Sequence, residues 1–73
     1  MKDFSTNTEV RWNWGEGHAT GYIREKFTDR VVRDIDGTEV VRDADEENPA
    51  YLVEQDDGQE VLKSASELEK AET

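Results

Sequence analysis

Seventy-three residues with no cysteine make at most one small domain, and they exclude disulfides, cysteine-held zinc or iron, and thiol nucleophiles. Nineteen acidic residues stand against nine basic ones, a formal net charge of -10, which repels phosphate backbones and anionic membranes and draws cationic partners. The opening MKDFSTNTEV has no apolar run after its lysine, and no stretch approaches the roughly 20 apolar residues of a membrane span. The expectation is a cytoplasmic chain without membrane contact. Only 33% of residues are hydrophobic and 38% are charged, a balance close to that of disordered chains, so the case for a fold rests on pattern.

Residues 1–7 lack any period and read as a frayed N-terminus. TEVRWNW, residues 8–14, alternates: Val10, Trp12 and Trp14 on one face, Glu9, Arg11 and Asn13 on the other, the mark of a half-buried strand. GEG follows as a turn, where glycine takes positive φ without steric cost. HATGYIREKFT, residues 18–28, is a second strand with Ala19, Gly21, Ile23 and Phe27 in one parity and Tyr22, Arg24 and Lys26 in the other. Gly21 inside it signals a bulge, a sharp bend or the close approach of another backbone.

RVVRDI and TEVVRD flank Asp36-Gly37, a strong two-residue hairpin signal. ADEENP is an acidic loop closed by the only proline. AYLVEQ, residues 50–55, and QEVLK, residues 59–63, are strands joined by the turn DDG. Ser64 and Glu67 have capping-box spacing, which predicts one helical turn that returns Leu68 to the core, followed by a disordered acidic tail over 70–73. Five or six short strands with almost no helix would leave exposed edges as a flat sheet, and a small, strongly bent barrel over residues 8–69 is the economical solution.

The run V-x-W-x-W-G-x-G-x-A-x-G-x-I from Val10 to Ile23, P-x-Y-x-V from Pro49 to Val53, and S-x-L at Ser66 and Leu68 resemble the hypervirulence-associated Tudor-like domain family. The resemblance covers roughly residues 8–69 and implies an all-β, SH3-like barrel of about five strands. It implies no activity that transfers residue by residue. Members often carry Gly-Asp just before the first strand, where this chain has Asn7-Thr8.

Well-studied Tudor domains hold methylated lysine or arginine between ring faces, so the aromatic residues are the first site candidates. They are Trp12, Trp14, Tyr22, Phe27 and Tyr51, against the competing demand of a small core for large rings. Trp12 is assigned to the core with Val10 and Ile23. Trp14 at the strand end, His18 beside the turn, Tyr22 off the Ile23 face, and Tyr51 are the candidate binding residues. A lone histidine without cysteine or a second histidine is a poor metal site, and no nucleophile has a recognisable partner. Asp43, Asp45, Glu47 and Glu54 fall at positions 1, 3, 5 and 12 of a calcium-loop register, but Asn48 before Pro49 replaces the glycine of the sharp turn, so the stretch reads as a solvated acidic loop. No cofactor loop is present. The expected function is a non-catalytic, monomeric protein-interaction module for a basic peptide or protein. The alternative is a nucleic-acid-binding barrel using Arg24, Arg30, Arg33 and Arg42, against which the interspersed acids predict cross-strand ion pairs.

Overall fold

The computed structural model describes residues 4–71. The predicted fronts of the strands hold closely: β1 is Glu9–Trp14, β2 Gly17–Phe27, β3 Val31–Ile35, β4 Thr38–Arg42, β5 Ala50–Glu54 and β6 Glu60–Ser64. A 3-10 turn, Ala65–Glu67, leads into a two-residue β7, Glu69–Lys70. Five strands form one antiparallel sheet in the order β6-β5-β2-β1-β7, and β3 and β4 form a separate hairpin.

Turn chemistry sets the registers. Trp14 lies opposite Gly17, leaving Gly15-Glu16 as a two-residue loop with Gly15 at φ 57°. Asp36 and Gly37 both sit at positive φ between the paired Ile35 and Thr38, the requirement of a type I′ hairpin. Strand β2 changes partner along its length. Residues 17–22 pair with β1, residues 22–27 pair with β5, and the register slips between Ile23 and Glu25. A long strand shared in this way, bent at a bulge, curls the sheet into a barrel. Gly21 is the point of closest approach: a Cβ there would lie 2.7 Å from both the Glu54 carbonyl oxygen and Val53 Cγ1. Of the three readings of Gly21, close approach is the one realised, while the bulge falls beside it.

Two apolar clusters fill the interior. Val10, Trp12, Ile23, Tyr51, Val53, Ala65 and Leu68 form the main core, and Val31, Ala50 and Leu62 form a second beneath the β3–β4 hairpin. Strand β5 is therefore covered on both faces, and Ala50 through Val53 are all buried. The Ser64–Glu67 turn forms with the Ser64 N–H donating to Glu67 Oε1 at 2.8 Å, and Leu68 is fully buried.

Within the stretches expected to fray, several described residues carry hydrogen bonds. The Phe4 N–H donates to the Tyr51 hydroxyl at 3.0 Å, and the Asn7 N–H donates to the Ile23 carbonyl at 2.7 Å. At the other end Lys70 pairs with Val10, and the Ala71 N–H donates to the Glu9 carbonyl at 3.0 Å. The open edge of β1 takes up Lys70 and Ala71, while Asn7 bonds to β2 and Phe4 to a side chain of β5, and no local pattern advertises these contacts. The remaining positions expected to fray, 1–3 and 72–73, lie outside the described residues.

Candidate functional site

Strand parity places the two tryptophans on the inner face of β1. Trp12 is buried, whereas Trp14, one step beyond the last core position, is 72% exposed. The β1–β2 hairpin projects past the end of β5, and residues of β4 and β6 approach its inner face without closing on it. The result is a groove of about 410 Å³. It is lined by Trp12, Trp14 and Ala19 of the β1–β2 hairpin, by the apolar Val40, Val61 and Leu62, and by the polar Arg42, Gln55, Gln59 and Lys63.

The cations of this groove are held from behind by Glu67. Arg42 Nε lies 2.9 Å from Glu67 Oε1, and Lys63 Nζ lies 3.8 Å from Glu67 Oε2. Partial burial pushes the Glu67 carboxyl up, but the Ser64 N–H, Arg42 and Lys63 together outweigh it and hold the group below its ordinary value. Glu67 thus stays ionised and fixes two groove residues to the 3-10 turn.

The four predicted binding residues do not converge. Trp14 lines the groove. His18 lies on the opposite face, paired across the strands with Asn13, and borders a polar notch of about 110 Å³ with Arg11 and Glu69. Tyr22 is half-buried on that outer face and lines neither cavity, and the Arg24 guanidinium sits 5.7 Å from its ring centroid. Tyr51 is corrected outright: it is fully buried, and the edge of Phe4 meets its ring at 5.5 Å between centroids. Its ring belongs to the main core with Ile23 and Val53, which removes it from the surface.

The same geometry bears on a methyl-lysine cage. Only Trp12 and Trp14 reach the groove, while Phe27 lies under Arg33 at 4.8 Å and Phe4 packs on Tyr51. Val40, Gln55, Gln59, Val61 and Lys63 were not singled out from sequence; their only shared signal is position, near the ends of strands that the barrel gathers at one mouth.

All five arginines pair with carboxylates: Arg11 with Glu69, Arg24 with Glu54, Arg30 with Asp43, Arg33 with Glu25 and Arg42 with Glu67. In the acidic loop the Asp45 carboxylate accepts from the Glu47 and Asn48 N–H groups at 2.9 and 2.7 Å, so it closes its own turn. Among the described residues no three His, Asp or Glu side chains converge as a metal site.

A bent antiparallel sheet closed by a hairpin, with a 3-10 turn before the last strand, defines a small Tudor-like barrel of the SH3 type. The family model for the Tudor domain of hypervirulence associated proteins matches residues 8–68, and the chain belongs to that family. Neither a curated protein nor a solved structure matches it. Tudor-like domains are generally binding modules rather than enzymes, although a barrel of this kind does not by itself specify a ligand. Among the described residues no helix is long and apolar enough to cross a membrane.

Proposed function

We propose that this domain is a non-catalytic interaction module that works as a cytoplasmic monomer and binds a basic peptide or protein segment at the Trp14 groove. The observation that carries the reading is Trp14, a large ring left 72% exposed at the mouth of an apolar groove on an otherwise acidic molecule. Exposed tryptophan costs solvation and is enriched where partners dock. The lack of cysteine suits a reducing compartment.

Charge selects the partner. Each arginine is occupied by an acid of the same chain, while Glu16, Asp56, Asp57 and Glu60, in or beside the turns at the groove end, form no ion pair among the described residues. The unneutralised field at the mouth is negative, which favours lysine- or arginine-rich segments and disfavours a phosphate backbone.

A titration of the isotope-labelled protein with a lysine-rich peptide should shift the Trp14 indole and the amides of Ala19, Gln59 and Val61. Trp14→Ala should weaken that binding about tenfold or more, as truncation of an interface anchor does. Because the ring is exposed, stability should change by no more than about 0.5 kcal/mol. Absence of shifts around the groove at low salt would remove the proposal.

A further inference from the structure

One stretch of backbone beside the groove is unpaired. The Ile23 N–H donates to the Thr8 carbonyl at 3.0 Å, and the Ile23 carbonyl accepts from the Asn7 N–H at 2.7 Å, so Ile23 turns its polar groups toward β1. Strand alternation gives Gly21, Ala19 and Gly17 the same direction and turns those of Tyr22, Thr20 and His18 to the opposite edge. Tyr22 meets Glu54 there. β5 then stops, and Gln55 folds away, its N–H donating to the Gln59 carbonyl at 2.7 Å. Among the described residues, no strand lies against this edge at His18 and Thr20, and neither has a further bond that would occupy it.

We propose that the basic segment binds by strand addition, pairing its backbone with the free edge of β2 at His18 and Thr20. The proposal rests on the function just given and specifies how the partner is held. Two residues spaced by two offer two donors and two acceptors at the repeat of an extended chain. Ala19, between them, faces the groove beside Trp14. Alternate side chains of an added strand would therefore enter the groove, and the others would pass over His18 and Thr20. No proline, no lysine and no bulge lies between Gly17 and Gly21 to block pairing at this edge. The occupant is cationic rather than a second copy of this chain, because two molecules of net charge -10 repel and Glu16 and Asp56 flank the edge unpaired.

Fluorescence anisotropy with a labelled ten-residue peptide of alternating lysine and valine tests this, alongside the same peptide N-methylated at alternate backbone nitrogens. Thr20→Pro removes a donor that β1 does not use, and proline is tolerated at such an edge position. Binding should weaken about tenfold for Thr20→Pro and for the methylated peptide, the scale of lost hydrogen bonds. Amide exchange at His18 and Thr20 should slow when the unmodified peptide binds. If Thr20→Pro fails to fold, the methylated peptide on the unaltered protein gives the same reading. Equal affinity for both peptides, with Trp14→Ala still weakening them, overturns strand addition and leaves the groove reading standing. No binding by the unaltered protein overturns both. A dimer in sedimentation with His18 and Thr20 already protected overturns the choice of occupant.

Discussion

Gly21 has no need of glycine's backbone freedom; what it supplies is the absence of a side chain. An added Cβ would meet the Glu54 carbonyl and Val53 at 2.7 Å, and the first of these is backbone that moves only if β5 moves. Gly21→Ala should therefore cost about 1–3 kcal/mol, the range for forced overpacking. For a domain of this size each kcal/mol corresponds to a fall of about 4–8 °C in melting temperature, which calorimetry would read directly. An unchanged melting temperature would mean that β5 gives way freely. The two ring residues on either side of the site question divide on equally local grounds. Trp14 is exposed because it is the last residue of β1, one alternation beyond the buried Trp12. Tyr51 is buried because its ring faces the main core with Ile23 and Val53 and Phe4 closes over it. Parity was legible in the sequence and put Val10, Trp12 and Trp14 on one face, and the strand end, not parity, singled out Trp14. The Phe4 contact spans 47 positions and leaves no periodic trace, so Tyr51 could not be separated from a surface ring.

At the scale of elements, strand existence followed from alternation and punctuation, and both tight hairpins followed from their glycines. What the pattern could not supply was the fate of short polar segments whose only organising force is another strand's open edge. β7 has two residues and no apolar partner face, yet it pairs with β1. The segment before β1 is similar. Asn7 sits at φ 72° in the left-handed region, donates its N–H to Ile23, and accepts from the Arg24 guanidinium through its side chain. Glycine and asparagine are the two residues that tolerate this conformation best. Asn7→Ala should cost about 1 kcal/mol or more, from the left-handed strain of an ordinary side chain, while Asn7→Gly should lose only the contact to Arg24. Urea unfolding of the two variants separates the effects; equal losses would assign Asn7 to its side chain alone.

Over the whole molecule, electrostatics sets both partner choice and the response to pH. The arginine–carboxylate pairs are mostly exposed, and each such pair contributes about 0–1 kcal/mol, so they neutralise charge more than they stabilise. The pair network at Glu67 differs because its carboxylate also closes the 3-10 turn and holds two groove residues. Its pKa in the folded chain lies below the ordinary 4.5. A carboxyl lowered by folding stabilises the native state at pH values above its unfolded pKa, and that contribution disappears as pH falls through the folded value. Protonation of the many other acids works in the opposite sense, since it relieves the self-repulsion of a chain at -10. Comparing the protein with Glu67→Gln largely cancels this shared background. The stability gap between them should be full at neutral pH, persist to about pH 5, and close at lower pH as Glu67 takes up its proton. Urea midpoints measured across that range test the sign. A gap that stays constant into acid would mean that Glu67 acts through packing, with its charge contributing nothing to the alignment of Arg42 and Lys63 at the groove.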